Sequence, residues 1–185
     1  MGRKKVYLLL TDTGTIFTRM IKLYTKKPYN HASIAFDNKF TEVYSFGRKK
    51  PRNPFIGGFV NEDVRKGLFK NARCAIYSFE VTDEQISSMK YFINKIDNEK
   101  HLYRYNLLGL ITFILNKPYQ RKRAYFCSEF VARVLNEGKI IEFQKPLSLV
   151  SPHDLQSIKT IELEFEGQLA DLLESDAPTM YPIVS

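Results

Sequence analysis

Apolar positions recur along this chain with two periods, and the period at each stretch predicts the element. Val6 to Leu10 is a continuous apolar run of strand length, which reads as a buried strand. From Thr15, the positions Ile16, Phe17, Met20, Ile21 and Tyr24 fall at helical spacing, and Lys26-Lys27-Pro28 stops that helix. Ala32, Ile34 and Phe36 then alternate with His31, Ser33 and Ala35, which predicts a strand. Asp37-Asn38 suits a two-residue turn, because both residue types tolerate positive φ, and Phe40 to Phe46 is the expected return strand. Gly47 to Gly58 reads as a basic loop, Gly58-Phe59-Val60 as a short strand and Cys74 to Val81 as a longer one. Thr82-Asp83-Glu84-Gln85 is a capping box, and Ile86, Met89, Phe92, Ile93 and Ile96 form one face of the helix it opens. A second apolar helix is expected from Tyr105 to Leu115, ended by Pro118 and the run Arg121-Lys122-Arg123. Cys127 opens a third, striped by Phe130, Val131, Val134 and Leu135, with Gly138 as its C-cap. Ser151-Pro152 is an N-cap followed by proline at the first helical position. Ile161, Leu163 and Phe165 alternate with glutamates as a half-buried strand, and the stretch after Asp176 reads as a loose tail. These elements add up to an α+β fold: an antiparallel sheet with helices packed on it.

A length of 185 residues suits one domain, with its core over about residues 5–167 and a loose tail over 177–185. At 44% hydrophobic and 26% charged, the composition excludes a disordered chain, a collagen-like repeat and a disulfide scaffold. The longest apolar stretch, Leu107 to Leu115, is about half the ~20 residues of a membrane span. The basic and apolar start of the chain is too short for a secretory signal, so a soluble cytoplasmic protein is expected. Two cysteines, Cys74 and Cys127, fit a reducing compartment. The net charge of +8 is uneven: residues 1–70 carry 15 Lys/Arg against 5 Asp/Glu, while six acids and no base follow from Ile161. A basic N-terminal half suggests an anionic partner, although no nucleic-acid motif accompanies it and no nucleic acid is expected.

Cys127 is the position with most chemistry. A thiol at a helix start feels the positive end of the helix dipole, which favours thiolate, and the free first-turn N–H groups suit an oxyanion. The same cysteine also shares the core-facing stripe of Phe130 and Val131, where packing alone would explain it. A base would come from His31, His101 or His153. His101 sits in a polar connector and His153 in a first helical turn, whereas His31 begins a strand with small neighbours, Ser33 and Ala35, that let another element approach. Three scattered histidines make no metal-ligand cluster, so no metal and no cofactor is expected.

The segments His31-Ala-Ser-Ile-Ala-Phe, Glu42-Val-Tyr-Ser-Phe-Gly-Arg-Lys and Phe126-Cys-Ser-Glu-Phe-Val resemble the circularly permuted papain-like branch of the NlpC-type cysteine peptidase/amidase superfamily. That branch places its histidine strand before its cysteine helix, and here 96 residues separate His31 from Cys127. The resemblance covers roughly residues 5–155 and implies a permuted papain-like fold. It also implies Cys127 as nucleophile, His31 as general base and Glu42 as the residue that orients the imidazole. The implied activity is that of a cysteine amidase or peptidase working through a thioester. Tyr44, Tyr125, Ser128, Lys49, Lys50 and Arg52 complete the expected site as substrate-binding residues. Many relatives are exported wall enzymes, and no export signal is expected here. Candidate substrates are therefore a wall-derived or γ-glutamyl peptide or an acyl lipid, small and anionic, with peripheral membrane contact compatible with the charge.

Tyr44 competes with Glu42 for the orienting role, and Glu42 is preferred because a carboxylate can span a diagonal and stabilise the imidazolium. A two-residue turn pairs Phe36 with Lys39, which sets His31 opposite Tyr44 and makes Glu42 its diagonal neighbour on one face. Two other readings stay open. His153 could serve Cys127 in the unpermuted order across 26 residues, or the domain could be a non-catalytic module binding an anionic ligand or membrane through its basic half.

Overall fold

The computed structural model describes residues 2–14, 26–50, 53–106 and 121–175, with isolated positions between 107 and 120. The helix expected from Thr15, most of the one expected from Tyr105, and the tail after Asp176 lie outside the described residues. Among the described residues eight strands are formed: β1 (Lys4–Asp12), β2 (His31–Ala35), β3 (Val43–Lys50), β4 (Asn53–Asn61), β5 (Arg73–Val81), β6 (Arg104–Tyr105), β7 (Ala124–Tyr125) and β8 (Glu162–Gln168). The α-helices among the described residues are α1 (Asp83–Asn98), α2 (Cys127–Glu137), α3 (Pro152–Gln156) and α4 (Leu169–Ser175). The main sheet is antiparallel with strand order β4-β3-β2-β1-β5-β8, and β6 and β7 form a small parallel pair. The fold is α+β. Among the described residues, no helix is long and apolar enough to cross a membrane.

Alternation along the strands divides the core in two. Val6, Leu8 and Leu10 of β1, Ala32 and Ile34 of β2, and Phe46 and Phe59 of β3 and β4 face the helices. Against them lie Met89, Ile93 and Ile96 of α1 and Phe130, Val131, Val134 and Leu135 of α2. Burying one such Leu, Ile or Phe contributes roughly 1.5–3 kcal/mol. The other sheet face carries Leu9, Ala35, Val43 and Ile76 and is covered by Phe40, Val64, Phe69 and Leu169.

The helix ends follow the sequence signals. Thr82 and Gln85 cap α1 reciprocally, and Ser151 and Asp154 do the same for α3, with Pro152 at its first position. At the end of α2, Gly138 stays right-handed at φ −73° and Lys139 takes the left-handed conformation at φ 52°. Lys139 N–H donates to Asn136 and Ile140 N–H to Leu135, both at 2.9 Å, which is a Schellman motif with lysine at the left-handed position. Gly138 is needed for another reason: a Cβ there would lie 2.7 Å from Met89 Cγ, so the glycine lets α1 and α2 approach.

Three expectations fail, each for a local reason. The connection after β2 is not a two-residue turn. Phe36 N–H bonds Glu42 O, the Asp37 carboxylate accepts from Thr41 and Glu42 N–H, and Phe40, at φ 53°, drops its ring into the second core. Burying Phe40 requires the longer loop, and the strands then pair Ile34 with Tyr44 and Ala35 with Val43. Gly47 to Gly58 is not a loop: β3 runs on to Lys50 and β4 returns from Asn53, with a register shift between Arg48 and Lys50. In β8 a bulge opposite Ile76 and Tyr77 breaks the alternation, so Leu163 is 54% exposed where a buried position is expected.

Candidate functional site

Cys127 is the first residue of α2, and Phe126, with extended backbone, is its N-cap. The first intrahelical bond runs from Phe130 N–H to Phe126 O at 3.0 Å. The N–H groups of Cys127, Ser128 and Glu129 therefore have no acceptor within the helix and point out of its positive end. The Phe126 side chain supplies no cap bond, so the helix end remains a donor surface around the sulfur.

His31 is the first residue of β2, paired with Thr11 of β1. Its Nε2 lies 2.8 Å from Glu62 Oε1, with the two side chains 13% and 8% exposed. Ser33 Oγ donates to the other carboxylate oxygen, Oε2, at 2.5 Å. Glu62 follows β4 directly, and its N–H bonds Val43 O at 2.8 Å. Its side chain has to cross β3 to reach His31, and small residues make that possible. Continuing the β2–β3 register sets Ser45 beside Ser33 and Gly47 beside His31. A Cβ on Gly47 would already touch Glu62 Oε1 at 3.5 Å and His31 Cε1 at 3.8 Å, so any longer side chain would fill the gap.

Burial works against a charged imidazole at His31. The negative charge of Glu62, hydrogen bonding with the Cys127 side chain and the hydrogen bond to Glu62 outweigh it and raise the pKa to about 10. His31 is thus hydrogen-bonded to Glu62, and the Cys127 side chain is near enough to favour its charged form. Cys74 presents the opposite case. It lies fully buried near the start of β5, and burial pushes its thiol up to about 12.

Glu42 and Tyr44 are not where the two-residue turn would put them. The longer loop shifts the register by an odd number of residues and turns both toward the helix face, away from His31. Glu42 accepts from Lys90 of α1 at 2.6 Å and from the Tyr44 hydroxyl at 3.4 Å, with its side chain 41% exposed. Tyr44 stacks on Phe59, with centroids 5.9 Å apart and 14° between planes. Glu62 takes the place expected of Glu42. It escapes a sequence reading because Asn61-Glu62-Asp63 looks like a polar turn once Gly47 to Gly58 is read as a loop. The signal that identifies it is the alternation Gly58, Val60, Glu62 on one strand face.

The other expected substrate residues divide. Ser128 is buried, and its Oγ donates to Val150 O at 2.7 Å, so the side chain holds the following turn and only its N–H faces the helix end. Tyr125 is half-buried, with its ring against Phe46 at 5.2 Å and Arg133 4.7 Å from its centroid. The side chains of Lys49, Lys50 and Arg52 lie outside the described residues. His101 is exposed in a turn, and His153 lies in α3 with Nδ1 buried and without a hydrogen-bond partner. Among the described residues, no three His, Cys, Asp or Glu side chains converge as a metal site. Comparison with protein-family models, curated proteins and solved structures finds no match to this chain.

Proposed function

We propose that the protein is a cysteine hydrolase of permuted papain-like arrangement that cleaves an amide or ester of a small peptide or acyl compound. A wall-derived or γ-glutamyl peptide is the leading substrate class. Cys127 is the nucleophile, His31 the proton carrier and Glu62, in place of Glu42, the residue that holds the imidazole. The observation that carries this reading is the single imidazole that is hydrogen-bonded to Glu62 and whose charged form the nearby Cys127 side chain favours. The chain order supports it: histidine strand, carboxylate, then cysteine helix.

In the resting site the proton resides on His31 and the sulfur is the nucleophile. Sulfur attacks the carbonyl carbon, a C–S bond forms, and the carbonyl π electrons move to oxygen, where the first-turn N–H groups of α2 receive the oxyanion. As the oxyanion collapses, the C–N or C–O bond breaks and His31 passes its proton to the leaving amine or alkoxide. Neutral His31 then takes a proton from water as that water attacks the thioester. The C–S bond breaks, the acid leaves and the resting pair is restored. Glu62 fixes the ring, with Ser33 holding its second oxygen.

The test is intact-mass analysis after incubation with pools of acyl esters and of γ-glutamyl and wall-derived peptides. The expected result is an acyl adduct on Cys127 that is absent from Cys127→Ala. Turnover that survives Cys127→Ala, or no adduct and no hydrolysis with any pool, contradicts the reading.

A further inference from the structure

We propose that the cleft between the C-terminal end of α1 and the Arg121–Arg123 turn binds a phosphate-bearing anion. The turn is an ordered part of the fold. Ala124 N–H bonds Arg121 O at 3.3 Å, Arg104 N–H bonds Arg123 O at 3.0 Å, and Arg123 adopts φ 58°. A non-glycine residue in that conformation carries a local cost, which the β6–β7 pairing and its ion pair offset. Three consecutive cations are thereby held on a fixed loop opposite Lys95 of α1.

Between them lies a cavity of about 700 Å³, lined also by Tyr103 and Tyr125. Small-molecule sites run ~300–1,000 Å³, so the space suits a phosphorylated molecule better than a single ion. Four cations face one carboxylate, Glu99, which is engaged with Arg123 at 3.1 Å. Among the described residues, no carboxylate lies within ion-pair distance of Lys95, Arg121 or Lys122. Like charges converging on one concavity repel each other and raise the local positive potential, which a multiply charged anion relieves. Guanidinium forks match phosphate oxygens in pairs, and tyrosine hydroxyls add neutral donors. Arg133 against Tyr125 fixes that wall. The cleft carries this charge although residues 71–185 are net acidic, so half-chain charge does not reveal it. The proposal does not depend on the chemistry of Cys127.

The test is calorimetric titration of the full chain with inorganic pyrophosphate at low salt. The variants are Arg121→Gln/Lys122→Gln together, Lys95→Gln, and Lys145→Gln as a control, since Lys145 pairs with Asp154 elsewhere. The wild type is expected to bind, more weakly as salt rises. The double variant should lose about tenfold or more in affinity, Lys95→Gln should lose severalfold and the control nothing, since each tenfold is ~1.4 kcal/mol, the scale of one charge-assisted hydrogen bond. If the double variant does not fold, Lys95→Gln, on a separate element, decides alone. No binding by the wild type, unchanged affinity in the variants, or an equal loss in the control overturns the proposal. Phosphatidylcholine vesicles with and without phosphatidic acid identify the source. Binding to the acidic vesicles that pyrophosphate displaces assigns a lipid headgroup, and pyrophosphate binding alone assigns a soluble phosphate compound.

Discussion

His31 is the residue on which the site turns, and its protonation has a thermodynamic consequence. Its folded pKa of about 10 is raised above the usual 6.5, so protonated His31 stabilises the fold. That contribution is complete below about pH 6.5, declines as the pH rises and is gone once the pH passes about 10. The difference in Tm between wild type and His31→Gln should follow this course. The His31 Hε1 resonance should titrate near 10, and Glu62→Gln should move it down, because Glu62 is the main charge that raises it. A wild-type midpoint near 6.5 would contradict the account. Cys127 and His31 are legible in the sequence because each sits at an element boundary marked by its neighbours: a helix start before an apolar stripe, and a strand start flanked by small residues. Glu62 is not legible, because its role depends on a hairpin whose apolar alternation is broken by the basic run Arg48–Arg52.

At the scale of elements, what the sequence reveals is local and what it hides is pairing. The Thr82 capping box, the Ser151 N-cap, the β5 strand and the start of α2 are read from residues within a few positions of one another. The β2–β3 register is not, because the turn is set by where Phe40 must go, and that depends on Tyr7, 33 positions earlier and 5.7 Å away across the second core. Gly138 shows the same division. Its place at the helix end is local, but its necessity comes from Met89 on another helix. Gly138→Ala should therefore destabilise the protein by about 1–3 kcal/mol in urea denaturation, the usual cost of overpacking a fully buried contact. A helix-end glycine with no packing role would give no loss, or a gain, since alanine is the better helix former.

Across the whole molecule, the sheet gathers residues that are far apart in sequence. His31, Glu62 and Cys127 come from β2, the end of β4 and the start of α2. The same topology spends part of the basic N-terminal charge internally. Arg3 pairs with Glu80, Lys4 with Asp83 and Lys5 with Glu164 of β8, each within 2.9 Å. The first strand is thus matched by acids of β5, α1 and β8, and the half-chain excess does not describe the surface. The central claim is that this topology makes Cys127 reactive through His31 held by Glu62. The most direct measurement is limited alkylation with iodoacetamide at neutral pH, with peptide mapping of both cysteines in the wild type, Glu62→Gln and Glu42→Gln. The account predicts that Cys127 is labelled well before Cys74, that Glu62→Gln slows the Cys127 reaction, and that Glu42→Gln leaves it unchanged. Faster labelling of Cys74, or a slowing by Glu42→Gln equal to that by Glu62→Gln, would contradict it.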